Sequence, residues 1–209
     1  MFAGKPIIGI VGGIGSGKSF VAGLFGELGC LVINSDDQVR DAYKDPKVQQ
    51  TIRQWWGAAA FDRQGGVNRR FIAERVFSSS EERQMLEQLL HPMVAHARDR
   101  LMREHANDAQ VLAFVWDTPL LFETGLNEYC DAVVFVEAPL DVRILRVKER
   151  GWDAFELESR EKLQMPLDKK REISDHVLSN TASTDQVRAQ VREVLSRIYA
   201  GLAPTTGSP

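Results

Sequence analysis

The chain has 209 residues, 44% of them hydrophobic and 26% charged, with a formal net charge of −3. That length and balance suit a globular domain with insertions, and the slight acidity argues against a general nucleic-acid or membrane-surface binder, which needs a basic footprint. No apolar run approaches the roughly 18 residues of a membrane span, and the glycines near the start come too early for a secretory leader, so the cytoplasm is the expected setting.

The first element is the strand "PIIGIV", followed at once by "GGIGSGKS". Gly12 to Ser19 fits G-x-x-x-x-G-K-[ST] between that strand and the amphipathic run Phe20, Val21, Leu24, Phe25 and Leu28, which is the setting a P-loop requires. A bare backbone lets the N–H groups of Gly12, Gly13, Ile14, Gly15, Ser16, Gly17, Lys18, Ser19 and Phe20 wrap a phosphate chain at a helix N-terminus, where the dipole favours anions. Lys18 is expected to reach the β- and γ-phosphates, and the Ser19 hydroxyl to ligate Mg²⁺. The pattern predicts a nucleoside triphosphate as ligand.

The second strand is "CLVINSD". Asp36 closes it at the sheet edge where α/β ligands bind, and reads either as a general base or as the N-cap of "DDQVRDAY". Residues 37–109 carry only helical or polar patterns, so they are expected to form a helical insertion. Within it, Met85, Leu89, Met93, Ala97 and Leu101 recur every four residues behind a capping box at Ser79 to Glu82. The third strand, "VLAFVWD", ends in Asp117, which is placed to hold Mg²⁺ directly or through water, or else to start a turn before Pro119. The fourth is "DAVVFVEA". Residues 139–174 are charged and helical, broken at Gly151, and suit a lid; Arg143, Arg146, Arg150 and Arg160 are candidates to stabilise charge on a transferring phosphoryl group. A weaker fifth strand, "DHVLSN", precedes a last helix that has a capping box at Ser183 to Gln186 and an apolar face of Val187, Val191, Leu195, Ile198 and Leu202. The tail "APTTGSP" is expected to be disordered. Cys30 and Cys130 each lie beside an apolar run, as reduced core thiols do.

The strand runs lack clean alternation, which is how strands buried on both faces of a parallel sheet read. Alternating with helices, they predict a doubly wound α/β core. The guanine-reading N-K-x-D of GTPases is missing, and so is the L-S-G-G-Q of transporter ATPases. The insertion after the second strand and the charged lid suit a small-molecule kinase, in which a lid closes over the phosphates and excludes water. A nucleotide-dependent regulatory switch with a protein partner is the alternative of another class.

"IVGGIGSGKS", "LGCLVINSDDQVR", "LLHPMV", "DTPLLFE" and "SDHVLSN" together resemble the dephospho-coenzyme A kinase family in order and approximate spacing, over nearly the whole chain. The resemblance implies a P-loop NTPase core with a parallel five-stranded sheet flanked by helices (1–36, 110–138 and 175–209), a helical substrate-binding domain (37–109) and a helical lid (139–174). It implies that MgATP phosphorylates the ribose 3′-hydroxyl of dephospho-CoA; a kinase for a nucleoside monophosphate or another small alcohol is the nearest alternative. Lys18, Asp36 and Arg146 would carry catalysis. Asp36, Arg40, His91, Pro119, Leu120 and Glu123 would meet the acceptor, Asn180 the nucleotide, and Ser19 with Asp117 the metal. Three positions depart from the family pattern: Asn34-Ser35-Asp36 stands for Asp-Ala-Asp, Phe20 for a small Thr, and "NTAST" lacks the Gly after Asn180.

Overall fold

In the computed structural model, residues 1–202 are described; the tail "APTTGSP", expected to be disordered, lies outside them. Five strands form one parallel sheet: β1 (Ile7–Gly12), β2 (Leu31–Asn34), β3 (Phe114–Asp117), β4 (Ala132–Glu137) and β5 (His176–Ser179), in the order β2-β3-β1-β4-β5. All five runs read as buried strands are therefore strands, in a sheet flanked by helices. Every residue of the central β1 is buried. Ile8 and Ile10 share one face with Val134 and Val136, packed against Val21 and Phe25 of α1 (Lys18–Glu27) and Val191, Leu195 and Ile198 of α9 (Thr184–Leu202). The alternate residues Val11, Trp116 and Phe135 are buried as well, which is why these runs show no polar period.

Cys30 sits in the same core with a free thiol, and burial pushes its pKa up to about 11. It therefore stays protonated and inert at neutral pH. The cap of α9 is reciprocal: Ser183 N donates to Gln186 Oε1 at 3.1 Å, and Gln186 N to Ser183 Oγ at 3.4 Å.

Two compact units divide the chain, Ser35–Glu104 and the remainder. The smaller holds α2 (Ser35–Ala42), α3 (Pro46–Trp56), α4 (Arg69–Ser78) and α5 (Ser80–Glu104). Its own core contains Tyr43, Val48, Ile52, Ile72, Leu86 and Leu90. Asp45 caps α3 by accepting from Lys47 N at 2.8 Å, with Pro46 at the first helical position, where its missing N–H costs nothing. Ser79 Oγ accepts from Glu82 N at 3.2 Å, while the Glu82 carboxylate accepts from Trp56 Nε1.

The larger unit carries the sheet and the charged segment after β4. That segment is three short helices, α6 (Leu140–Lys148), α7 (Ala154–Glu161) and α8 (Leu167–Glu172). Among the described residues no helix is long and apolar enough to cross a membrane.

Candidate active site

The loop from β1 to α1 is built on glycines whose backbone no other residue would adopt without strain. Gly12 has φ +148°, and a Cβ there would stand 2.5 Å from the Val136 carbonyl oxygen. Gly17 has φ +89°, and a Cβ would overlap Asn180 Nδ2. Gly17 is also the N-cap of α1, where no side chain caps the helix and no acidic residue occupies the first turn. The end of α1 thus offers main-chain N–H groups and a positive dipole, with Ser19 and Phe20 exposed beside them. Lys18 Nζ folds back onto the loop, donating to Gly12 O at 3.0 Å and Gly13 O at 3.1 Å.

Side chains from distant segments brace this loop from below. Arg146 of α6 donates to Ser16 O at 2.9 Å and Gly15 O at 3.3 Å through Nη1, and to Asn180 O at 2.8 Å through Nη2. Asn180, just past β5 and buried, donates from Nδ2 to Ser16 O at 2.7 Å. Arg146 and Asn180 are thus brought to the loop's main chain. Arg143, one helical turn earlier, donates to Ile14 O at 3.3 Å and pairs with Glu161 at the end of α7.

Asp117 closes β3 at the carboxyl edge of the sheet, 3% exposed and in register with Ile10 of β1. Its Oδ2 accepts from Asn34 Nδ2 at 2.8 Å, and Asn34 is its register partner on β2. Among the described residues no three His, Cys, Asp or Glu side chains gather into a metal-sized group. A hard divalent ion bound by one or two protein oxygens and completed by phosphate and water fits that donor set. Ser19 and Asp117 are residues of the right chemistry for it.

Asp36 does not close the strand: β2 ends at Asn34, and Asp36 lies exposed in the first turn of α2, a helix that starts on the next residue, Ser35. Arg40 lies on the same helix, paired with Asp37 at 2.9 Å. His91 is exposed on α5, immediately before Pro92. All three belong to the smaller unit.

In the larger unit, Pro119 and Leu120 sit half-buried in the turn after β3, where Leu120 O accepts from Thr124 N at 3.0 Å. Glu123 lies within that turn, its carboxylate on the charged segment. Its Oε1 accepts from Met165 N at 2.8 Å and lies 2.8 Å from Lys170 Nζ. Lys170 has no exposed side-chain area and also donates to Gln164 Oε1 at 3.3 Å. Sequence reasoning passed over Lys170 and Glu161, because "DKKRE" and "ESREK" read as solvated helix faces. The only signal available was the odd place of Glu161, at a helix C-terminus whose dipole disfavours an acid.

Residues 6–186 match the family model of dephospho-CoA kinase. The dephospho-CoA kinase of Syntrophotalea carbinolica is 36% identical over 199 residues, covering 94% of this chain and 93% of its own. A crystal structure from Thermus thermophilus matches with a TM-score of 0.77 at 34% identity, covering 92% of this chain and 97% of that one. Shikimate kinase from Acinetobacter baumannii matches with a TM-score of 0.56 at 15% identity, covering 96% of this chain and 97% of that one, a likeness of fold alone.

Proposed function

The chain belongs to the dephospho-CoA kinase family, the ATP-dependent phosphotransferases of the last step of coenzyme A biosynthesis, and we propose that it transfers the γ-phosphoryl group of ATP to the ribose 3′-hydroxyl of dephospho-CoA. The bond from phosphorus to the β-phosphate bridging oxygen breaks, a bond to the ribose 3′-oxygen forms, ADP leaves, and the hydroxyl proton passes to the Asp36 carboxylate. The observation that carries this reading is the uncapped α1 N-terminus behind Lys18, in a chain that matches the family over residues 6–186.

In this reading the main-chain N–H groups of Gly13 to Phe20 bind the phosphate chain, and Lys18 leaves the loop carbonyls for the β- and γ-phosphates. Arg146 keeps the loop in shape through Gly15, Ser16 and Asn180 and adds positive charge behind the transferring group. Asn180 borders the nucleotide. Ser19 and Asp117 would hold Mg²⁺, which would supply positive charge to the phosphates when bound. Arg40 and His91 of the smaller unit, with Pro119, Leu120 and Glu123, contact the acceptor, and residues 139–174 act as the lid that keeps water out. A loose transition state leaves little covalent chemistry to the protein, so positioning and charge carry the rate.

The test is to incubate the protein with MgATP and dephospho-CoA, AMP or no acceptor, and to measure ADP. Release should depend on dephospho-CoA, with AMP far less effective. Turnover that is the same without acceptor would sink the kinase reading and favour a nucleotide switch.

A further inference from the structure

Among the contacts of residues 139–174 with the P-loop, one is made by an acid. Glu161 Oε1 accepts from Ile14 N at 3.0 Å and pairs with Arg143, whose Nη1 donates in turn to Ile14 O at 3.3 Å. Both main-chain polar groups of Ile14 are therefore taken by an acid and a base from α7 and α6. Arg143 is 7% exposed and Glu161 20% at the side chain, so this is a largely dehydrated ion pair set against the loop.

Three features mark the contact as more than a brace. First, a carboxylate here occupies a P-loop N–H, a group whose use in this fold is to hold phosphate. Second, Glu161 is the last residue of α7, where its charge opposes the helix dipole, so the helix gains nothing from an acid at that place. Third, the carboxylate has room to leave. A cavity of about 390 Å³ is lined by Glu161, Gln164, Met165 and Leu167, and another of about 190 Å³ by Gly13, Arg143 and Asp168.

We propose that Glu161 is an anionic placeholder: in the nucleotide-free enzyme it holds the Ile14 N–H and Arg143, and the incoming triphosphate displaces it. A polyphosphate approaching the loop meets a like charge beside its binding groups, and that repulsion ends when the Glu161 side chain swings away. Arg143 is then freed toward the phosphates. Nucleotide binding and release of α7 from the P-loop become one event, so the lid is set in motion by ATP itself. Glu161 acts through Arg143 and Ile14, and is a positioning residue. The inference rests on the reading of Gly12 to Ser19 as the ATP site.

The experiment measures binding of AMP-PNP with Mg²⁺, and of adenosine, to wild-type protein, Glu161→Gln, Glu161→Ala and Lys18→Ala, with a thermal melt of each. Gln is isosteric and can still accept both hydrogen bonds, so the first variant removes charge alone. It should bind AMP-PNP on the order of tenfold more tightly, the scale of one removed like-charge contact in a partly buried site, with adenosine unchanged. The KM for ATP should fall while that for dephospho-CoA stays put. Glu161→Ala should tighten AMP-PNP in the same direction and covers the case in which the Gln variant folds poorly. Unchanged or weaker AMP-PNP binding by folded variants would mean that Glu161 is only a brace, and would overturn the proposal. If wild-type protein does not bind AMP-PNP, or Lys18→Ala binds it equally well, the P-loop reading fails and takes this inference with it.

Discussion

Asp36 and Asn34 stand two residues apart with separate duties. Asn34 ends β2 with its amide on Asp117 at 2.8 Å, while Asp36 opens α2, exposed and acidic. Under the proposed mechanism Asp36 alone takes the hydroxyl proton, since an amide has no basicity to offer at neutral pH. Asp36→Asn keeps size and most hydrogen bonding but removes the base. Losing a general base costs about 10²–10⁴-fold, and the loose transition state points to the lower part of that range. The loss should appear in kcat with little change in melting temperature. Asn34→Asp added to Asp36→Asn should not restore activity, because residue 34 faces Asp117, and an acid there would lose the donor and repel the Asp117 carboxylate. Steady-state kinetics of the two variants check this; a double variant that recovers most of kcat would move the base to position 34.

At the scale of elements, the charged segment after β4 is held by pairs that its sequence conceals. α6 carries Arg143 and Arg146 to the P-loop, α7 ends on Glu161, and α8 lies alongside β1 with the fully buried Lys170 on Glu123. Removing one partner of a buried pair leaves a charge without its counterpart and costs several kcal/mol, whereas the intact pair contributes much less than that. Lys170→Ala should therefore destabilise the larger unit by about 3 kcal/mol, a drop in melting midpoint of roughly 6–12 °C. Glu123→Ala should cost more, since it leaves the fully buried Lys170 ammonium without a counter-charge, whereas Lys170→Ala leaves a carboxylate that is partly exposed. The double variant should lose less than the sum of the two, which calorimetry or denaturant melts will show. Additive losses would mean that the two groups stabilise the fold independently.

At the scale of the whole molecule, the chain divides into two compact units with separate cores. The larger carries the P-loop, Asp117 and α6 to α8; the smaller carries Asp36, Arg40 and His91. If the smaller unit serves the acceptor, its surface should govern one substrate and not the other. His91 is exposed on α5, so His91→Ala removes no core contact. It should raise the KM for dephospho-CoA by roughly 3- to 10-fold, the worth of one hydrogen bond, and leave the KM for ATP nearly unchanged. Initial-rate kinetics with each substrate varied in turn separate the two. An equal or reversed effect would remove His91 from the acceptor's surroundings.

The five strands, the P-loop and the caps of α5 and α9 were legible in the sequence because each is written locally. Buried β-branched runs, a glycine pattern between strand and helix, and Ser or Thr ahead of an apolar period all act within a few residues. The same locality let Asp117 be placed at the end of its strand. Asp36 was placed less well: it stands inside a helix, since β2 gives way to α2 with no residue between them and element boundaries are the weakest part of any such reading. What only the tertiary structure decided is the partner of each charge. Ile14 and Glu161 are 147 residues apart, Asn180 and Ser16 are 164, and Glu123 and Met165 are 42. Nothing in "DKKRE" or "ESREK" tells a buried lysine or a loop-holding glutamate from its solvated neighbours. A charge is drawn out of water only when the folded chain sets a counter-charge or a main-chain donor beside it, and packing of distant segments settles where those stand.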